Sequence, residues 1–251
     1  LKNDRLIEKH YIFLALATLF HHLTLLLFHK IFEIITKKRL FVKKKIQQYK
    51  TIFITATNTD IGKTYASTKF LNYFSKQGLK VGYFKPFETG VIDNTPSDGS
   101  KIFELVKKLN PKFEKLSIND IVPYWFTLPA SPYVANKDRY INIEFLKEKK
   151  EYLQSFCDIL LIEGAGGLFV PIKKDFFIID LIKEFNCKTF LITPSKLGCI
   201  NDTLLCIKAL KSAKIDFEFF INLYQDIDNF EKISKPFLLD YFGKLNFLQD
   251  I

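Results

Sequence analysis

Thr51-Ile-Phe-Ile-Thr-Ala-Thr-Asn-Thr-Asp-Ile-Gly-Lys-Thr64 is an apolar, β-branched run that breaks into a polar loop ending in Gly-Lys-Thr. A strand feeding such a loop aims several backbone N–H groups and a helix N-terminus at one point, which is how a protein holds the phosphates of a nucleotide. In that reading Asp60 and Ile61 belong to the cradle, Gly62 lets the backbone approach closely, Lys63 reaches the β/γ-phosphates and the Thr64 hydroxyl ligates magnesium. The competing reading is a Gly-Lys-Thr that merely starts a surface helix. The strand-like run before it argues against this, as do Phe70, Leu71 and Phe74 after it, spaced for one buried helix face. The usual pattern also has an earlier glycine, where this chain has Ala56 and Thr57.

Outward from this segment, apolar runs and helical periodicity alternate. Strands are expected at Thr51–Ala56, Leu79–Phe84, Cys157–Ile162, Lys188–Ile192, Phe217–Asn222 and Lys244–Phe247. Helices are expected near 63–77, 98–109, 143–155, 176–186, 200–213 and 229–242. Such alternation predicts one α/β domain over residues 49–251, a parallel sheet flanked by helices on both faces. Ligands of such sheets bind at the carboxyl ends of the strands. The polar clusters Lys85-Pro-Phe-Glu-Thr-Gly90, Glu163-Gly-Ala-Gly-Gly167 and Thr193-Pro-Ser-Lys-Leu-Gly198 should therefore join the phosphate loop in one composite site. Glu163 closes an apolar run, and the glycines after it suit close backbone approach; magnesium or phosphate-site duty follows, against the alternative of a solvated loop acid. Lys85 is similarly placed.

The net charge of +10 suggests nucleic acid until its distribution is read. Residues 1–50 hold 11 Lys or Arg against 3 Asp or Glu, which leaves the rest of the chain at only +2. A nearly neutral body offers no electrostatic footprint for nucleic acid. His10, His21, His22 and His29, the four histidines of the chain, lie in the same N-terminal stretch. The body thus lacks imidazole for general-base catalysis, a nucleophile pair or a zinc site, and its chemistry must rest on Lys, Asp, Glu, hydroxyls, backbone amides and a bound metal. Phosphoryl transfer suits that inventory, being mostly positioning and charge stabilisation. Cys157, Cys187, Cys199 and Cys206 form no Cys-x-x-Cys pair and read as reduced, buried thiols of a cytoplasmic protein.

Residues 1–48 stand apart. Tyr11 to Phe28 is almost wholly apolar, and Lys37-Lys38-Arg39 and Lys43-Lys44-Lys45 follow it. One reading is a short membrane anchor with the body on the cytoplasmic side. The preferred one is an extension irrelevant to function, since the chain begins with Leu and contains no Met. A membrane partner is expected only if that extension operates as an anchor.

Taken together, Thr57-Asn-Thr-Asp-Ile-Gly-Lys-Thr64, Lys85-Pro-x-x-Thr-Gly90, Ser97-Asp98, Ser131-Pro132, Glu163-Gly-Ala-Gly-Gly167 and Lys196-Leu-Gly-Cys-Ile-Asn201, in order over residues 51 to about 225, resemble the dethiobiotin synthetases of the P-loop NTPase superfamily. The resemblance implies an ATP- and Mg2+-dependent ligase of biotin biosynthesis that closes the cyclic urea of dethiobiotin. Its substrates would be 7,8-diaminopelargonic acid and CO2 or bicarbonate, through a carbamate and a carbamic-phosphoric anhydride. It further implies that Lys63 and Lys85 are catalytic. Asp60, Ile61, Gly62, Lys63, Thr64, Glu163, Gly166 and Asn222 would hold the nucleotide, Asn222 reading adenine. Thr64, Asp98 and Glu163 would organise the metal, directly or through water. Thr89 would line the substrate amines. The helix start formed by Gly198, Cys199, Ile200 and Asn201 would receive the substrate carboxylate across a homodimer interface.

Three departures qualify this picture. Ala56 replaces the usual first glycine, Asp60 stands where Glu is usual, and the C-terminal stretch Phe242–Phe247 is short, so reduced affinity and relaxed nucleotide choice are expected. The rival readings are an amide-forming ligase of the same superfamily and a membrane-recruited P-loop ATPase switch. The first usually carries a Cys and His pair and the second an extra lysine early in the loop, neither of which is present.

Overall fold

The computed structural model describes Thr24, residues 49–137 and residues 140–251. The apolar stretch considered as an anchor lies, Thr24 apart, outside the described residues. Among those described, no helix is long and apolar enough to cross a membrane.

The first strand, β1 (Thr51–Ala56), is buried at every position. It is followed by α1 (Lys63–Lys76), which turns Ala66, Ser67, Phe70, Leu71 and Phe74 inward, the i, i+3, i+4 pattern of one apolar face. Gly78, at φ +81°, takes the left-handed turn that ends α1. There follow β2 (Val81–Phe84), β3 (Phe87–Thr89), α2 (Ser97–Leu109), α3 (Ile118–Ile121), β4 (Tyr124–Phe126), α4 (Pro132–Ala135) and α5 (Ile143–Gln154). The second half contains β5 (Ile159–Gly167), β6 (Pro171–Lys173), β7 (Phe176–Phe177), α6 (Ile178–Phe185), β8 (Lys188–Pro194), α7 (Cys199–Ser212), β9 (Phe217–Asn222), α8 (Ile227–Asn229) and α9 (Lys235–Phe242).

The main sheet has five strands in the order β2-β5-β1-β8-β9, and every pairing is parallel. β1 is therefore central, with Thr51 opposite Leu160 on one side and Ile52 opposite Lys188 on the other. Helices cover the sheet, which is why its strands are near-continuous apolar runs rather than alternating ones. Phe70 of α1 packs on Phe190 of β8 and Phe220 of β9, with ring centroids 4.7 and 5.0 Å away, so the helix after the phosphate loop is fastened to the sheet by an aromatic cluster.

Five of the expected strands and the expected helices are present, with instructive differences. β5 does not stop at Ile162. It runs on through Glu163 to Gly167, so the stretch read as a loop is strand, with Glu163 opposite Ile54 and Gly167 opposite Ala56 across a bulge. Gly167 permits this, since a Cβ there would meet the Thr57 carbonyl oxygen at 3.1 Å. The sixth expected strand, Lys244–Phe247, reduces to one bridge between Ile221 and Phe247. The helix expected over 229–242 is divided: α8 passes into a π-helical turn at Phe230–Ser234 before α9. Pro236 is the cause, because it has no N–H for the i−4 carbonyl. Ala56 is fully buried and is not among the residues with positive φ, so the backbone demands no glycine there.

Burial pushes the thiols of buried Cys187 and half-buried Cys157 up to about 12 and that of half-buried Cys206 up to about 11, which keeps them unreactive.

Gly82 on β2 fills a gap with no spare volume: an added Cβ would lie 2.6 Å from Cys157 Sγ and 2.7 Å from Phe113 Cζ. Gly82→Ala is expected to cost about 1–3 kcal/mol by overpacking, measured as a lower denaturant midpoint with an unchanged slope.

Candidate active site

At the carboxyl ends of β1, β2 and β5 lies a cleft of about 760 Å3. Lys63, Thr64, Lys85, Thr89, Asp98 and Glu163 all line it, as do Asp60, Gly62 and Gly166. Of the residues singled out in the sequence, these nine converge.

The phosphate loop is shaped by two left-handed residues, Asp60 at φ +57° and Gly62 at φ +94°. Gly62 is the N-cap of α1 and no side chain caps the helix, which leaves its first N–H groups open to an anion. A Cβ on Gly62 would sit 2.5 Å from Asn222 Nδ2. That amide nitrogen donates to the Ile61 carbonyl at 3.0 Å, while Asn222 Oδ1 is buried without a hydrogen-bond partner. The end of β9 thus braces the loop and presents an acceptor beside it. The hydroxyl of Tyr224 adds a second brace, donating to the Asp60 carbonyl at 2.6 Å.

The floor of the cleft is the Glu163 carboxylate, fully buried on β5. Its Oε1 accepts from Thr64 Oγ1 at 2.9 Å and from Lys85 Nζ at 2.6 Å, and its Oε2 from Ser67 Oγ at 2.6 Å and Tyr83 OH at 3.0 Å. Four donors match the lone-pair capacity of a carboxylate. Burial alone would raise the Glu163 carboxyl, but the Lys85 charge and the hydrogen bonds hold it below its ordinary value. Burial likewise works against the Lys85 ammonium, yet Glu163 wins and keeps it above its ordinary value. The pair is therefore ionised at neutral pH, and Lys85 is a fixed cation rather than a base. Asp98, more exposed, lies 3.9 Å from the same Lys85 nitrogen. Lys63 is lowered by burial despite the opposing pull of Glu163, and its Nζ is 3.4 Å from the Asn58 carbonyl oxygen.

Other expected site residues stand outside the cleft lining. Ile61 is buried, and its side chain serves the core while its carbonyl is held by Asn222, which itself sits behind the loop. Gly198, Cys199, Ile200 and Asn201, expected to receive the substrate carboxylate across a homodimer interface, do not line the cleft of their own chain. The reason is where the chain turns after β8. Gly198, at φ +91°, is the N-cap of α7, and the helix start it opens lies outside the lining formed by β1, β2 and β5. Within it Cys199 is fully buried, Ile200 is half-buried, and Asn201 is exposed, its Nδ2 donating to Asp202 Oδ1 at 3.3 Å. Ser67, Tyr83 and Glu88 received no role from the sequence reading. For the first two the available signal was periodicity: Ser67 follows Lys63 by one helical turn, and Tyr83 shares a strand face with Lys85.

Residues 50–251 match the AAA domain family. An ATP-dependent dethiobiotin synthetase of Sulfurovum sp. is 49% identical over 187 residues, covering 74% of this chain and 89% of that protein. The chain belongs to the dethiobiotin synthetase family. Further members are those of Wolinella succinogenes, 37% identical over 191 residues (75% of this chain, 88% of that one), and Methanococcus vannielii, 35% identical over 201 residues (78% and 90%). The fold is also that of a plasmid partition protein of Borrelia burgdorferi solved with AMPPNP, at TM-score 0.50 and 15% identity, covering 79% of this chain and 84% of that one. Dethiobiotin synthetases are ATP-dependent ligases of biotin biosynthesis, and this chain is an enzyme of that class working with ATP and Mg2+. Membership sets aside the membrane-recruited switch and the amidating ligase as readings of the body.

The donor set suits Mg2+: the Thr64 hydroxyl and the Asp98 carboxylate offer hard oxygen ligands in one cleft, and Glu163, its lone pairs taken, orients the Thr64 hydroxyl. Among the described residues there is no cluster of three or more His, Cys, Asp or Glu able to hold a metal by itself.

Tyr83→Phe removes one of the four donors to a buried carboxylate. The expected loss is about 1.5–3 kcal/mol, read by chemical denaturation of a variant whose circular dichroism is unchanged.

Proposed function

We propose that this dethiobiotin synthetase condenses 7,8-diaminopelargonic acid with CO2 at the expense of ATP, with Lys63 and Lys85 as its charge-stabilising groups. One substrate amine adds to CO2 and, on losing a proton, becomes a carbamate. A carbamate oxygen attacks the γ-phosphorus, ADP departs, and a carbamic-phosphoric anhydride forms. The second amine attacks the carbonyl carbon and gives up a proton to solvent or to the departing phosphate, phosphate leaves with the C–O bonding pair, and the cyclic urea is closed.

The observation that carries this reading is the buried, ionised Lys85 paired with Glu163 in the cleft that also holds the phosphate loop. A fixed cation there can hold a carbamate oxygen against the γ-phosphate, and Lys63 can neutralise the charge that builds on the transferred group. Neither step needs a histidine. Thr89, at the end of β3, lines the same space and would orient an amine. Asn222 Oδ1, an acceptor without a donor, fits the exocyclic amine of adenine. When bound, Mg2+ would neutralise phosphate charge; Asp98 and the Thr64 hydroxyl would hold it, with Glu163 acting through the hydroxyl it orients or through water. The start of α7, from Gly198 through Ile200 to Asn201, lies outside the cleft of its own chain and fits the role of receiving a carboxylate from a second copy in a homodimer.

The test is ADP release by the full chain with Mg-ATP and bicarbonate, with and without the diamine. Strict dependence on the diamine, with dethiobiotin found by mass, is expected; diamine-independent hydrolysis would overturn the reading. Lys63→Ala and Lys85→Ala should each lower kcat by about 100-fold or more. Lys85→Ala should also lose stability, because it strands the Glu163 charge. A chain beginning at Tyr49 is expected to keep full turnover, as befits an extension with no part in catalysis; loss of turnover on truncation would count against that assignment.

A further inference from the structure

Glu88 lies between Lys85 and Thr89 in sequence and is only 6% exposed, yet it pairs with no lysine at salt-bridge distance among the described residues. Its carboxylate is spent on the start of α2. Oε1 accepts from the Asp98 amide at 2.9 Å and Oε2 from the Gly99 amide at 2.8 Å. These are the second and third N–H groups of the helix, the ones an N-cap side chain ordinarily takes. The residue at the N-cap is Pro96, and it makes no side-chain cap. The contact is tight: a Cβ on Gly99 would lie 3.0 Å from Glu88 Oε2 and 2.3 Å from Val122 Cγ2. A negative charge at this point also matches the helix dipole.

We infer that Glu88 is a positioning residue: it caps α2 from β3 in place of Pro96 and so holds Asp98 in fixed relation to Lys85 and Thr89. Asp98 is exposed, its side chain 56% accessible and 3.9 Å from Lys85 Nζ. No hydrogen bond of its own carboxylate to protein is needed to place it, since its amide is gripped directly. The strand that carries the substrate-facing Thr89 and the helix that carries Asp98 thereby move as one unit. This inference rests on the assignment of Asp98 to the metal and Lys85 to the carbamate.

Three variants of the full chain test it: Glu88→Ala, Glu88→Gln, and the double variant Glu88→Ala with Pro96→Ser, which returns a cap to the helix from its own N-cap position. Hydrogen exchange without ligands reads the clamp independently of activity. In both single variants amide exchange over residues 97–103 is expected to quicken about tenfold, with residues 51–56 and 188–194 unchanged, and the double variant should recover protection. In steady-state kinetics the Mg2+ concentration for half-maximal rate should rise about tenfold in the single variants while KM for the diamine stays put, and the double variant should restore it. Unaltered exchange in Glu88→Gln and Glu88→Ala would overturn the clamp. Restored protection without restored Mg2+ response would overturn the positioning role and assign Glu88 to direct contact with a reactant. A wild-type chain with no diamine-dependent turnover would instead refute the reaction assigned above, while the exchange measurement would still decide the clamp.

Discussion

A carboxylate in the middle of a parallel sheet is costly to bury, and the site is organised by the way that cost is offset. Glu163 has no solvent access, so its charge survives only because donors from α1, β2 and the segment after β2 converge on it. Each of those donors is held in turn. Thr64 and Ser67 sit one turn apart on a helix locked by aromatic packing to β8 and β9, and Tyr83 is buried within β2. Breaking a buried pair by removing one partner costs about 3–5 kcal/mol, whereas an intact one contributes little net stability. The arrangement therefore specifies geometry more than it adds strength. It fixes the Lys85 ammonium and the Thr64 hydroxyl before any ligand arrives.

Preorganisation of this kind suits the reaction proposed above. A carbamate and a phosphoryl group are both anionic, and bringing them together is opposed by repulsion that only fixed positive charge can relieve. Lys85 and Lys63 answer that need differently. The first is held protonated by its carboxylate; the second is lowered by burial and faces a loop whose backbone N–H groups share its task. The steps proposed above call for no histidine, and residues 51–251 contain none.

Much of this was legible in the sequence because it depends on local pattern. Thr51–Ala56 and Phe217–Asn222 are runs rich in β-branched and aromatic residues with clear ends, and both strands have those bounds. Gly62-Lys-Thr64 announces its turn through glycine. What was not legible depends on contacts between distant segments. Glycines after Glu163 read as a loop, yet they are strand residues kept small by close neighbours: the Phe53 ring at Gly164, Val170 at Gly166 and the Ala56 and Thr57 carbonyls at Gly167. Ser67 and Tyr83 look like ordinary helix and strand residues until β5 brings Glu163 between them. The helix start at Cys199 and Ile200 was read correctly as a helix start, but no local pattern tells which cleft it faces. Glu88 was visible inside Lys85-Pro-Phe-Glu-Thr-Gly90, but its partner is a helix start whose proline cannot cap itself. At Ala56 the backbone itself requires no glycine, and the single bridge at Phe247 shows that Lys244–Phe247, with only two apolar residues, does not pair as a strand.

The strand order has a consequence for how the chain is born. Thr51 finds its first sheet partner only at Leu160, and β2 waits for the same strand. At synthesis rates of about 5–20 residues per second, the interval between β1 leaving the ribosome and β5 following it is roughly 5–20 s. Throughout that time two of the most apolar segments of the enzyme have no sheet to join, and closing so long a loop is slow in itself. The newborn chain thus carries two unpaired apolar strands until residue 167 has emerged, when β5 arrives between β1 and β2 and delivers the buried glutamate in the same event.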